Sequence, residues 1–212
     1  MTLSEAIRRN GVFLGLWVAT VVSLTLALCL IDKGTLHLLL CDHHSAFGDW
    51  LMPVLSDTCN WLPYVLAVGL LLWRWQAGVF VGGSLILSTL ITQVLKHLVA
   101  APRPLTWFAE HMPEVTLPLT EGVKMNYHLS FPSGHTTTFF CLYFALCALF
   151  TVKCKAPAGL SVIVQVLLFA LAAVSSYSRL YLSQHFALDV LAGLLIGVFS
   201  VAVVAHFFRK SI

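Results

Sequence analysis

The sequence predicts an all-α protein: a six-transmembrane-helix bundle with an interfacial helix between the first two spans. Three observations carry this. Hydrophobic residues make up 59% of the 212 positions and charged residues only 10%, with a mean hydropathy of +0.90, whereas a water-facing domain carries about a quarter charged residues. The apolar residues fall into discrete runs, most of them near the roughly 20 residues that cross a hydrocarbon core. The basic residues are also distributed unevenly among the segments between those runs.

The runs are Gly11–Ile31, Leu62–Trp73, Gly78–Leu98, His135–Val152, Gly159–Tyr177 and Asp189–Phe208. The first follows Arg8 and Arg9 as a signal peptide would, but it is long enough to span and no small-x-small cleavage site follows it, so it reads as a retained anchor. The second is short, and spans only if Asn60, Trp61 and the turn at Arg74 sit in the interface, where Trp is favoured. Between these two lies Thr35–Ser56, whose Leu36, Leu38, Leu39, Leu40, Phe47, Trp50 and Leu51 suit a helix lying in the membrane surface. The segments run on without a soluble insert able to fold alone, so residues 1–212 read as one domain.

Charge sets the expected orientation. With the N-terminus inside, the inner segments hold Arg8, Arg9, Arg74, Lys153, Lys155, Arg209 and Lys210, which is seven of twelve basic residues, opposed only by Glu5 among nine acids. An even number of spans then leaves both termini cytoplasmic. The longest non-apolar stretch, Ala101–Ser130, falls on the outer side, and connections of this length usually serve as functional lids or are disordered. A net charge of +3, with no basic run longer than two residues, excludes a nucleic-acid surface. The six cysteines form no CxxC pair and read as small buried hydrophobes. Cys41 and Cys59 flank the first loop and would be placed to pair if that loop is extracytoplasmic. Nothing in the sequence speaks to oligomeric state.

Three short segments on the outer face concentrate ionisable groups. Lys96 and Arg103-Pro104 close the third span, Phe131-Pro132-Ser133-Gly134-His135 opens the fourth, and Ser178-Arg179 with His185 and Asp189 joins the fifth to the sixth. Each residue alone has an ordinary reading. Lys96 would be a snorkelling lysine, Ser133 a helix N-cap, and Asp189 a cap of the last span. Together these readings do not explain two histidines, three cations and a carboxylate at one membrane depth, where ionisable groups are costly and functional by default.

Phosphoryl transfer is the chemistry such a set suits. Lys96, Arg103 and Arg179 supply fixed positive charge for phosphate oxygens. Ser133, Gly134 and His135 add the free N–H groups of a helix N-terminus, and Gly134 has no side chain to keep phosphate from that backbone. His185 and Asp189 are four apart, so a helix beginning near His185 would place them on one face. A carboxylate on one imidazole nitrogen fixes the tautomer and frees the other to attack, making His185 the expected nucleophile and Asp189 its orienting group. His135 is then the expected general acid for the leaving group and later the base for water. A metal is not expected, because Asp189 is the only acid within the three motifs and three cations would repel a divalent ion. Asp42, His43, His44 and Asp49 form a second polar cluster, read as a solvated interfacial loop.

The three motifs, Lys96-x6-Arg103-Pro104, Pro132-Ser133-Gly134-His135 and Ser178-Arg179-x5-His185-x3-Asp189, resemble in order and spacing the signatures of the type 2 phosphatidic acid phosphatase (PAP2) superfamily. The resemblance covers about Lys96–Asp189, and the six-span layout extends it over the chain. It implies a metal-independent, cofactor-free membrane phosphatase that removes the terminal phosphate of a lipid phosphate through a phosphohistidine. The same resemblance makes Lys96, Arg103, Ser133, Gly134, His135 and Arg179 the phosphate-binding set. Soluble vanadium haloperoxidases are similar at these motifs but lack the spans. The short loops and compact size look more like bacterial members of the superfamily. That implies an inner-membrane location, a site facing the periplasm, and polyprenyl pyrophosphate, phosphatidylglycerol phosphate, phosphatidic acid or lipid A as substrate. The alternative from another class is a non-catalytic phosphate-binding or transport protein, against which stand His185, Asp189 and His135, since binding alone needs neither nucleophile nor acid.

Overall fold

The computed structural model describes residues 3–153 and 157–207, and every regular element among them is helical. A short helix α1 (Leu3–Arg9) leads into α2 (Gly11–Leu30). The first connection folds as α3 (Lys33–Cys41) and α4 (Ala46–Asp57). Then come α5 (Leu62–Trp73), α6 (Trp75–Val99), the short α7 (Pro104–His111), α8 (Gly134–Lys153), α9 (Ala158–Tyr181) and α10 (Ala187–Phe207). The charges expected inside at Lys155, Arg209 and Lys210, the Lys153 side chain, Cys154 and Phe208 lie outside the described residues.

Among the described residues, five stretches are long and apolar enough to cross a membrane, carried by α2, α6, α8, α9 and α10. The expected second span is less simple. The 12 residues of α5 reach only about 18 Å at 1.5 Å per residue, and a sixth crossing is made only if α4 joins α5 across a 44° bend. The expected single surface helix is therefore two. Its division follows from local capping: Asp32 accepts from the Thr35 N–H to start α3, and Ser45 accepts from the Gly48 N–H to start α4. Other boundaries shift toward the site. The fifth span continues to Tyr181, which puts Arg179 on its last turn, and the sixth begins at Ala187, which leaves His185 in the turn before it.

The central helix is α8, packed against α6, α9 and α10. Phe139, Phe140, Leu142, Ala145, Cys147 and Ala148 are all buried, as a helix apolar on every side requires. On α2, by contrast, only Phe13 is buried, and Val18, Val22, Leu26 and Leu30 point outward. An outward apolar face of this kind is solvated by hydrocarbon rather than water. Polar groups inside the bundle are spent on helix ends: Gln165 of α9 accepts from the N–H groups of Val12 and Phe13, satisfying donors that the start of α2 leaves unpaired. Cys41 and Cys59 do not pair. Both are free and buried, Cys41 beside Phe108 and Phe186 and Cys59 in the main core, because apolar burial has taken them into separate clusters.

Close approach of α10 to α8 depends on two glycines four apart. A Cβ on Gly193 would stand 2.8 Å from the Ser133 carbonyl oxygen, and one on Gly197 would stand 2.7 Å from that of Thr137. Both obstacles are backbone, which cannot rotate aside, and small residues at this spacing are what lets membrane helices meet. Gly193→Ala is therefore expected to destabilise the bundle by about 1–3 kcal/mol, read as a lowered thermal midpoint in detergent, while Gly83→Ala, whose Cβ would meet only Val204 at 3.9 Å, leaves the midpoint unchanged.

Candidate active site

The C-terminal ends of α6 and α9 and the N-terminal ends of α8 and α10 come together at one end of the bundle, with α3, α4 and α7 packed around them. Lys96 lies one turn from the end of α6, which closes on Ala100 in the left-handed conformation (φ 47°). Its Nζ donates to the Leu129 carbonyl at 2.7 Å. Arg103 precedes α7, and its backbone N–H donates to Tyr127 O. Its guanidinium donates from Nε to His128 O (2.9 Å) and from Nη1 to both the carbonyl (3.1 Å) and the side-chain oxygen (3.0 Å) of Gln184.

Ser133 is fully buried and caps α8: its Oγ accepts from Thr136 Oγ1 at 3.0 Å and, at 3.4 Å, from the Thr136 N–H. Its own N–H donates to the Asp189 carbonyl, joining α8 to α10. Gly134 faces Lys96, since a methyl added there would stand 3.8 Å from Lys96 Cε. His135, half-buried on the first turn of α8, lies within electrostatic reach of Arg179, His185, Arg103 and Lys96.

Arg179 is buried at the end of α9, with Nη1 donating to Ser56 Oγ of α4 and Nε buried without a partner. Its carbonyl accepts the N–H groups of Gln184 and His185, which closes the turn that carries His185. His185 Nδ1 stands 3.5 Å from Asp189 Oδ2, within ion-pair range but outside hydrogen-bond geometry. The same oxygen accepts from Ser130 Oγ at 2.5 Å and from the Phe186 N–H at 2.9 Å. Burial pushes the His185 imidazole down to about 3; Asp189 opposes the shift, and Arg103 and Arg179 add to it. At neutral pH the ring is therefore uncharged, with a free lone pair on one nitrogen. Such an arrangement can hold an anion of several oxygens and offer it a neutral imidazole from one side.

All eight residues expected from the motifs thus meet at one place, but several of their partners carry no motif. Gln184 is a hub: it receives Arg103 and Asn126 on its oxygen and donates to the Lys124 carbonyl and Met125 Sδ. The final part of the Ala101–Ser130 connection is ordered against the cations through the carbonyls of Tyr127, His128 and Leu129, which side-chain chemistry cannot reveal. His37, fully buried on α3, meets Ser183 Oγ at 3.3 Å and packs on Phe108 and Phe186. Burial pushes it down to about 4. No pattern in the sequence marks it, because its partners lie far along the chain.

Of the second polar cluster, Asp42 and His43 are exposed as expected of a solvated loop, while His44 and Asp49 are tied to other elements. Asp49 Oδ1 lies 2.7 Å from His44 Nδ1 and accepts from Tyr181 Oη and Thr120 Oγ1, and the His44 ring stacks on Tyr181. It ties α4, the end of α9 and the long connection together. Among the described residues, no three of His, Cys, Asp and Glu are grouped as a metal ion would need.

The model of the PAP2 superfamily matches residues 77–212. No curated protein matches the chain. Two solved structures share its fold. The first is that of Aquifex aeolicus LpxE, with a TM-score of 0.64 and 22% identity over 80% of this chain and 92% of that one. The other is that of the first transmembrane PAP2 type phosphatidylglycerolphosphate phosphatase from Bacillus subtilis, with a TM-score of 0.67 and 20% identity over 97% and 98% of the two chains. With the family model spanning well over half of its length and all three motifs, this multi-pass membrane chain belongs to the PAP2 superfamily and is an enzyme of the lipid phosphate phosphatase class.

Proposed function

We propose that residues 1–212 act as one catalytic domain that hydrolyses the terminal phosphate of a membrane lipid phosphate or pyrophosphate without a metal, through a phosphohistidine on His185. The observation that carries this reading is a buried His185 beside Asp189, set among Lys96, Arg103 and an Arg179 whose Nε is buried and unpaired. A buried cationic donor without a partner is a strong reason to expect an anion there.

In this reading the phosphate sits between the three cations and the start of α8, where Ser133 and Gly134 supply N-terminal dipole and a close approach. Positive charge around the equatorial oxygens stabilises the transferring phosphoryl group. The free nitrogen of His185 attacks phosphorus while Asp189 faces its Nδ1 and stabilises the imidazolium that forms. His135 protonates the leaving oxygen, then takes a proton from the water that cleaves the P–N bond. The 3.5 Å gap between His185 and Asp189 closes as charge develops on the ring, since catalytic hydrogen bonds often tighten only in the complex. The charge distribution of the sequence supports both termini cytoplasmic and this end of the bundle extracytoplasmic, and the resemblance to bacterial members of the superfamily supports an inner-membrane location. The description of the Bacillus subtilis structure as a phosphatidylglycerolphosphate phosphatase supports a phospholipid phosphate as one substrate to test.

Purified protein in detergent and EDTA is expected to release phosphate from such lipids, with His185→Asn slower by at least about 10³-fold and His135→Asn by about 10²–10⁴-fold. Acid-labile label from the terminal phosphate is expected on His185 in a quench. Full activity of His185→Asn, or loss of wild-type activity in EDTA, would overturn the mechanism. The pH dependence has a definite sign. An ordinary imidazole near 6.5 loses its lone pair as pH falls through 6, whereas His185 at about 3 stays neutral. With the general acid removed in His135→Asn, the residual rate of phosphoryl transfer in a single turnover is accordingly flat from pH 7 to about 5 once substrate ionisation is corrected for, and any slope in the wild type over that range belongs to His135. Gln184→Leu removes an acceptor from Arg103 and frees the Lys124–Asn126 segment. It should raise KM and lower kcat/KM by about 10- to 100-fold, checked by steady-state kinetics.

A further inference from the structure

The turn that presents His185 contains a residue in an unusual state. Ser183 has φ of 49°, the left-handed conformation that closes a helix end and that glycine adopts most readily. Serine has no conformational reason to be there. Its hydroxyl, however, is buried and held from outside the turn: His37 Nε2 lies 3.3 Å from Oγ, and the buried Cys41 lies further along the same helix. His37 and Cys41 are one helical turn apart, so both stand on one face of α3.

The rest of α3 is fastened around them. Leu40 O accepts from Tyr177 Oη, a Cβ on Gly34 would meet Met112 Sδ at 2.8 Å, and the His37 ring packs edgewise on Phe186, the residue after His185, at 5.1 Å. Helix α3 thus grips both residues that flank the Gln184-His185 pair.

Taking His185 as the nucleophile, as proposed above, we infer that His37 is a positioning residue: through Ser183 it fixes the turn between α9 and α10 and so aims the His185 imidazole at the phosphate. It touches no reacting atom. Its ring is neutral, so it works as a hydrogen-bonding wedge rather than as a charge. On this account Ser183 has its place for its hydroxyl, despite the backbone it must adopt.

The test is a cycle of Ser183→Gly, His37→Leu and the double variant, with His37→Gln as the conservative replacement that keeps a polar atom near Nε2. All are assayed in detergent on one lipid phosphate, with thermal midpoints and with His185→Asn alongside. Ser183→Gly relieves the backbone and removes only the anchor. The expected result is a kcat lower by about 10- to 100-fold with KM within about twofold and an unlowered midpoint. The double variant should be no slower than about twofold below the worse single one, and His37→Gln should recover most of the rate. Wild-type kcat in Ser183→Gly would overturn the inference, because a turn that needs only the left-handed backbone accepts glycine. Multiplying losses in the double variant, or a change confined to KM, would overturn it too. Should His185→Asn remain active, the nucleophile reading fails and this inference fails with it. An inactive His185→Asn beside an unimpaired Ser183→Gly sinks the positioning role alone.

Discussion

Asp189 is the residue on which the three distant segments converge. Its carbonyl receives the Ser133 N–H at the start of α8, and one carboxylate oxygen takes Ser130 and Phe186 and faces His185. A carboxylate buried at a membrane interface is tolerable only when donors and cations surround it, and here the same surroundings order the site. The reach back from Asp189 to the Phe186 N–H is also what starts α10, in the manner of a capping-box acid. Helix initiation and interhelix contact are therefore one interaction set beside the His185 imidazole, which is why the close fit of Gly193 on the Ser133 carbonyl matters beyond packing.

Around that carboxylate the protein gathers like charges that repel one another. Lys96, Arg103 and Arg179 sit within mutual electrostatic range. Backbone carbonyls of His128, Leu129 and Gln184 and the hydroxyl of Ser56 offset part of this. Such neutral acceptors steady a cation without cancelling its charge, and that leaves net attraction for an anion. The long connection before α8 thus belongs to the proposed phosphate site through its backbone, whatever its side chains do at the surface.

How legible all this was differs by element. The runs behind α2, α6, α8, α9 and α10 needed only hydropathy, because a lipid-facing helix must be apolar along its whole length. The motif residues Lys96, Arg103, Ser133, Gly134, His135, Arg179, His185 and Asp189 stood out because charge and histidine are conspicuous against such a background. The second crossing was harder to read. Its apolar stretch is divided by Pro53, the Thr58–Asn60 turn and Pro63, and only the 44° relation of α4 to α5 shows how it would extend across a membrane. In the Asp42–Asp49 cluster the exposure of Asp42 and His43 was legible, but nothing local says that Tyr181 and Thr120 will reach Asp49.

The sequence by itself determined an all-helical membrane bundle and the ionisable groups of one site, because hydropathy and charge are properties of residues and need no neighbours to be read. The tertiary structure alone decided which uncharged groups lie against those ionisable ones. Gln184 on Arg103, Ser130 on Asp189, Ser56 on Arg179 and His37 on Ser183 are ordinary residues whose contacts come from direction and distance. Hydrogen bonds act over about 3 Å and within a narrow angle, so a partner more than a hundred positions away along the chain, as Ser183 is from His37, leaves no periodicity to find.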